Sequence, residues 1–408
     1  MTFRVPKGTD DIMPPASRRW RRVLRLFDDL AERYGYELIM TPVFEATELF
    51  SRAVGESTDV VQKQMYTWDD KAGRSMTLRP EATAPVVRAY LNAGGRGVAK
   101  YAYSGPMFRY EQPQAGRRRQ FWQIGVEYVG EDSPTADVEV IELGYHFYVA
   151  AGISDISVQL NSIGDAESRA AYREILVEYL EARRDRLSED SQRRLSTNPL
   201  RVLDSKADVA EVADAPSPVD HLSAASAAHF EGVTDGLTQR GIPFVAAPRL
   251  VRGLDYYTRT VFEYTAASYG AAQDSLGGGG RYDGLAQQLG GSEVPGVGFS
   301  LGIDRVVLAL GNAAEPAALD VFVVAANKED HPNAQSLLAL LRANEMRADG
   351  LARVASVKAQ LKAADRSGAA QVVTVDDTYE DGTVTVRSIA DRKEDVVEID
   401  KVVAWLSK

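Results

Sequence analysis

The sequence predicts an α+β protein built in two parts, with helices and strands in irregular order over residues 1–319 and a smaller α/β unit over 320–408. Three observations carry that reading. A chain of 408 residues, at roughly 150 per domain, corresponds to two or three domains, each able to bury its own core. Residues 101–129 read as two strands joined by a polar, arginine-rich loop (Glu111 to Arg119), whereas 165–245 is Arg/Glu-rich and helical with little strand pattern. Beyond Gly311–Ala318, a stretch with Pro316 and four alanines and the character of a linker, strands and helices alternate at the spacing of βαβ units.

The elements follow in order. Ser17 to Tyr34 places Trp20, Val23, Leu24, Phe27, Leu30, Ala31 and Tyr34 on one stripe of a helix that starts after Pro14 and Pro15 and stops at Gly35. Arg18, Arg22 and Arg25 on the opposite face read as solvated. Tyr36 to Phe44 is extended but interrupted by Pro42, which places it at an edge, a bulge or a subunit boundary. A buried helix is expected over 137–151, and a helical insertion over about 165–245. Strand character resumes over Leu250–Tyr264, followed by the glycine run Gly277–Gly280. Gly296–Arg305 is a glycine-rich strand entering a helix with Ile303, Val306, Val307 and Leu310 at helical spacing. In the last part, Asp320–Ala326 and Gln371–Val375 read as strands, and 330–344 and 353–366 as helices.

Composition removes whole classes of chemistry. The chain has no cysteine, so disulfides and thiolate metal sites are excluded and a cytoplasmic location is expected. Its four histidines, His146, His221, His229 and His331, are far apart and lack metal-ligand spacing, so no metal site is expected. No apolar run approaches the roughly 18 residues that span a bilayer, and Met1 to Pro15 lacks an apolar signal core, so no membrane partner is expected. The net charge of −11 means that any polyanion must be met by local basic patches. Catalysis is left to arginines, carboxylates and bound ions.

Several segments have that equipment. In Phe121–Tyr128 taken as a strand, Gln123, Gly125 and Glu127 share one face, and Trp122, Ile124, Val126 and Tyr128 pack on a core. An amide, a gap and a carboxylate make a floor for a small polar ligand, or simply the wet face of an antiparallel strand. Arg109 and Arg117–Arg119 suit phosphate oxygens, or keep a loop soluble. Glu81 and Thr83, at a turn entering a helix, could hold an ammonium group, although Glu81 is also favoured there by the helix dipole. Arg252 beside Tyr256 and Tyr257 suits a ligand with an anionic end and a flat polar ring. Gly277–Gly280 with Arg281 and Tyr282 matches neither common phosphate loop but lets a ligand or strand approach the backbone. Arg305 lies in a first helical turn, which calls for a compensating anion such as Asp304 or a phosphate.

Together these segments resemble the class II aminoacyl-tRNA synthetases, and within them the histidyl-tRNA synthetase family. The resemblance rests on Thr41-Pro-Val-Phe-Glu45, Phe108-Arg-Tyr-Glu111 with Arg117–Glu127, Gly296–Arg305, and the pair Leu250–Tyr257 and Gly278–Leu285. It is extended by Lys7–Pro14 and Leu78–Thr83 and spans nearly the whole chain. It implies a catalytic domain (1–319) with a six-or-more-stranded antiparallel sheet flanked by helices, and an anticodon-binding α/β domain (320–408). It also implies ATP and Mg²⁺, L-histidine and tRNA(His) as partners, and a homodimer with the first signature at its interface.

Mapped onto this sequence, the resemblance gives Arg109 the α-phosphate, and Glu111, Arg117 and Arg305 the rest of a bent ATP. It gives Glu81, Thr83 and Gln123 the amino group of histidine, and Glu127 and Tyr257 its imidazole, with Tyr256 and Tyr282 lining the pocket. Arg252 would bridge the substrate carboxylate and the α-phosphate, and with Arg109 carry catalysis. Residues 112–119 would meet the tRNA acceptor end. Asp304 and Tyr110 stand where the family more often has glutamate and histidine. Two other readings, a non-catalytic regulatory paralogue and a histidine- or RNA-binding adaptor, remain to be separated by activity.

Overall fold

The structure, a computed structural model, describes residues 3–56, 58–114, 116–267, 275–311 and 319–407. It divides into two compact units, 1–311 and 312–408. Of the expected linker, residues 312–318 lie outside the described residues.

The first unit runs α1 (Ala16–Arg33), β1 (Glu37–Leu38), β2 (Phe44–Ala46), α2 (Thr47–Val54), β3 (Tyr66–Asp69), β4 (Ser75–Leu78), α3 (Thr83–Asn92), β5 (Ala99–Phe108) and β6 (Gln120–Val129). It continues through α4 (Pro134–Ala151), β7 (Ile156–Ser162), α5 (Ala166–Glu181), α6 (Glu189–Thr197), α7 (Ala224–Gln239), β8 (Phe244–Ala246), β9 (Thr258–Ala266), β10 (Ser275–Arg281), α8 (Leu285–Gln288), β11 (Gly296–Gly302) and α9 (Ile303–Ala309).

Local chemistry sets the helix ends. Ser133 caps α4 by accepting from the Thr135 N–H, Pro134 occupies its first turn, and Gly152 closes it in the left-handed region at φ 102°. Helix α1 buries Val23, Phe27, Leu30 and Ala31 and leaves Arg22 and Arg25 in solvent.

Eight strands form one sheet in the order β1-β5-β6-β11-β10-β9-β7-β8. The six from β5 to β7 are antiparallel to their neighbours, and β1 and β8 pair in parallel at the two edges. Ile124, Val126, Phe262 and Leu301 point from one face into a core shared with Phe27 of α1, Ile141 and Phe147 of α4, and Leu237 of α7. The opposite face is left for the site. A small sheet, β2-β4-β3, adjoins α2.

Two expectations change. The stretch 165–245 is not all insertion, because α7 packs on α4 and β8 extends the main sheet beside β7. The intervening helices instead pack Tyr172, Leu176, Leu195 and Val202 around Tyr256 and Tyr257. Residues 250–257, expected as strand, form an irregular loop, and the strand begins only at Thr258.

The second unit runs β12 (Leu319–Ala325), α10 (His331–Ala343), β13 (Ala348–Gly350), α11 (Val357–Ser367), β14 (Ala369–Val375), β15 (Thr383–Ser388), β16 (Glu394–Glu398) and α12 (Val402–Leu406). Its sheet order is β13-β12-β14-β15-β16, parallel through the first three strands and antiparallel after. It has its own core of Val321, Val323, Leu337, Leu341 and Val373. No described helix is long and apolar enough to cross a membrane.

Candidate active site

On the open face of the large sheet lies a cleft of about 550 Å³. Its lining contains Glu81, Thr83, Arg109, Glu111, Arg117, Gln123, Arg252, Tyr256, Tyr257, Tyr282 and Arg305, so eleven of the twelve expected site residues meet there. Glu127 alone stands behind the lining.

The glycines of β10 and β11 explain how such bulky groups lie flat on a sheet. A Cβ at Gly298 would come 2.0 Å from Glu127 Oε2, and one at Gly280 would come 2.9 Å from the Tyr257 ring. A Cβ at Gly278 would approach Arg252 Nη1 to 3.0 Å, and one at Gly296 would meet Tyr282 at 2.3 Å. The missing side chains therefore make room for the site's own residues. The gap expected at Gly125 is filled in the same way: a Cβ there would lie 2.4 Å from the Tyr103 hydroxyl, so it is not ligand space.

Glu127 is 1% exposed and receives hydrogen bonds from Thr83 Oγ1 at 2.7 Å and from the Tyr282 hydroxyl at 2.5 Å. Burial pushes its carboxyl up to about 8, against the two hydroxyl donors that favour the charged form. Glu81 is likewise buried and raised, while its carboxylate accepts from the backbone N–H groups of Thr83 (2.7 Å) and Ala84 (3.1 Å) at the start of α3. It caps the helix and lines the cleft at once. Tyr256 stacks obliquely on Tyr257, with ring centroids 4.6 Å apart, and meets Tyr282 edge-on at 5.9 Å.

The cations are held from behind. Arg109 donates from Nε to Pro80 O at 2.8 Å and lies over the Phe121 ring. Arg305 donates to Ser275 O at 2.6 Å, and Arg117 faces Glu111 at 3.6 Å. The anion expected to compensate Arg305 is elsewhere: Asp304, 6% exposed, pairs with Arg118 at 3.1 Å, and Arg118 also reaches Asp10. Arg252 binds Glu263 through Nη1, while its buried Nε has no hydrogen-bond partner. Gln123 Oε1 is a second buried atom without a partner in the cleft lining. Both residues line the cleft, and a guanidinium with an amide there suits a ligand bearing both an anionic and an ammonium group.

Sequence reasoning missed Glu263, Asp204 and Lys206, all in the lining. Glu263 had a signal, a lone carboxylate in the apolar run Val261–Tyr264; Asp204 and Lys206 come from the helical segment and had none. No group of three or more acidic or histidine residues suited to a metal occurs among the described residues. A magnesium ion that keeps its waters and binds phosphates needs only one or two carboxylates, and Glu111 is in place to supply one.

A family model described as histidyl-tRNA synthetase matches residues 8–306, and one for an anticodon binding domain matches 320–408. The chain belongs to the histidyl-tRNA synthetase family. It is 46% identical over 419 residues to the histidine–tRNA ligase of Geobacillus kaustophilus (strain HTA426), covering 100% of this chain and 98% of that one. It is 46% identical over 412 residues to that of Rhodococcus erythropolis (strain PR4), covering 98% and 97%. Among solved structures of the family, apo histidyl-tRNA synthetase of S. aureus superposes with a TM-score of 0.78 at 37% identity, over the full length of both chains. A Bacillus halodurans chain described as an ATP phosphoribosyltransferase regulatory subunit/histidyl-tRNA synthetase shares the fold at 24% identity (TM-score 0.64, 91% of this chain and 98% of that one).

Proposed function

We propose that the chain is a histidine–tRNA ligase: it activates histidine with ATP to histidyl-adenylate and pyrophosphate, then transfers the histidyl group to the 3′ end of tRNA(His). The histidine carboxylate attacks the α-phosphorus and the bond to the β-phosphate oxygen breaks, so two anions must be pressed together. Fixed cations at the developing charge lower that barrier without a proton-transfer residue. The observation that carries the reading is the convergence of Arg109, Arg117, Arg252, Arg305, Glu81 and Gln123 on one cleft.

In this reading Gln123, Glu81 and Thr83 hold the ammonium group, and Arg252 bridges the substrate carboxylate and the α-phosphate. Arg109 holds that phosphate, Arg117 and Arg305 take the β/γ end, and Glu111 would hold the Mg²⁺ that accompanies ATP. Tyr256, Tyr257 and Tyr282 wall the imidazole. Glu127 acts through the hydroxyls of Thr83 and Tyr282: each donates inward to Glu127, which leaves its oxygen lone pairs to accept the ring N–H. A second copy of the chain is expected to cover the edge strands β1 of the large sheet and β2 of the small one, where Leu38, Met40 and Phe44 are 66%, 84% and 48% exposed. Charging assays test the whole reading. Labelled histidine should be esterified to tRNA(His) and not to other tRNAs, with one AMP released per histidyl-tRNA; no charging, or equal charging with other amino acids, would refute it.

A further inference from the structure

The loop 250–257 that carries Arg252, Tyr256 and Tyr257 belongs to no helix or strand. Gly253 at its tip is exposed, with Arg201 3.8 Å from where a Cβ would be. Glu263 of β9 holds the Arg252 side chain from the sheet, and the loop backbone beyond it needs a further anchor.

That role falls to Asp255, which does not line the cleft. Its Oδ1 accepts from Asn198 Nδ2 at 2.8 Å, and its N–H donates to Val54 O at 3.1 Å. Gly55, at φ +97°, leaves room for the carboxylate: a Cβ there would sit 2.4 Å from Asp255 Oδ2. Arg169 of α5 feels the charge of Asp255 and donates to the Tyr257 carbonyl at 3.3 Å. Helix α6, which Asn198 ends, is tied to the same segment by Arg194 and Asp59 at 3.2 Å.

We propose that Asp255 is a positioning residue for histidine activation: anchored by Asn198 of the helical segment, it fixes the 252–257 loop so that Arg252 and Tyr257 face the cleft. The inference rests on the activation reading above. It makes the helical segment part of the catalytic apparatus through the Asn198–Asp255 contact, alongside Arg169 on the Tyr257 carbonyl.

The test is histidine-dependent exchange of pyrophosphate into ATP by the full chain, with thermal melts, for wild type, Asn198→Asp, Asp255→Asn and the double swap. Asn198→Asp sets two carboxylates face to face and is expected to lower kcat about tenfold or more and to raise KM for histidine. KM for ATP should stay within about twofold, because Arg117 and Arg305 lie on other elements. The swap restores an amide–carboxylate hydrogen bond in the reverse sense and should recover most of kcat. Unchanged exchange in Asn198→Asp, an equal rise in KM for ATP, or a loss that follows melting temperature and is not reversed by the swap would overturn the inference. A wild-type chain without histidine-dependent exchange would instead overturn the activation reading, and this inference with it.

Discussion

Arg252 is held on one side by Glu263 and keeps Nε free of protein partners on the other. A guanidinium placed in this way needs no reorganisation when charge develops between substrate carboxylate and phosphate. Arg252→Ala is expected to slow single-turnover adenylate formation by at least ~3 kcal/mol, by analogy with losing one preorganised donor. ATP affinity, read by equilibrium binding, should fall far less; equal losses would remove Arg252 from its bridging role. Glu127 gives a prediction in pH. Its folded carboxyl holds a proton up to about 8, whereas the unfolded chain releases it near the ordinary value of ~4.3. Between those limits the folded state binds more protons, so this group's contribution to stability falls as pH rises toward 8 and levels off above it. Glu127→Gln should cancel that fall. By urea unfolding, the variant should match wild type near pH 4 and gain on the order of 5 kcal/mol relative to it above pH 8. Its histidine KM should rise at the same time. The type and face of these residues were legible in the sequence, since the alternation Gln123–Glu127 places both on one side. Their partners were not. Thr83, Tyr282 and Glu127 lie on three distant segments, and only the folded sheet brings them into one hydrogen-bonded group.

Strands β10 and β11 show what glycine contributes when it recurs on one face. With Gly298 opposite Glu127 and Gly278 opposite Glu263, the pairing register places an empty position beside each acid. Gly298→Ala would press a methyl group onto the Glu127 carboxylate and the Val126 carbonyl. Overpacking of that kind costs about 1–3 kcal/mol, to be read from the shift in urea midpoint, and histidine KM should rise with it. An unchanged midpoint and KM would show that the site tolerates the added volume. The glycine-rich segments were recognisable before folding as places of close approach, but what approaches them was not. Gly125, read as ligand space, turns out to seat Tyr103. The long periodic elements α1, α4 and β6 match their sequence patterns within a few residues. The strand β8 and helix α7 do not stand out from the helical segment before them, because their burial depends on β7 and α4 rather than on any local pattern.

At the scale of the molecule, each of the two units closes its own hydrophobic core. A chain ending at residue 311 is therefore expected to retain histidine-dependent pyrophosphate exchange while losing most tRNA charging; loss of both in a folded fragment would mean that the second unit supports activation as well. The exposed edge at Leu38, Met40 and Phe44 makes a second prediction. With a second copy on that edge as proposed, Met40→Asp should halve the mass seen by light scattering, since a buried unpaired carboxylate at an apolar interface is strongly unfavourable. The architecture of both units could be anticipated from the order of elements, whereas the contribution of 189–206 to the cleft wall could not, because nothing in a solvated helical segment says what it covers. The most direct test of the central claim, that fixed guanidinium groups bring a histidine carboxylate onto the α-phosphorus of ATP, omits tRNA altogether. Purified chain given ATP, magnesium and labelled pyrophosphate should incorporate label into ATP when histidine is added and stay silent with the other amino acids. Silence with histidine, or incorporation without it, would contradict the account.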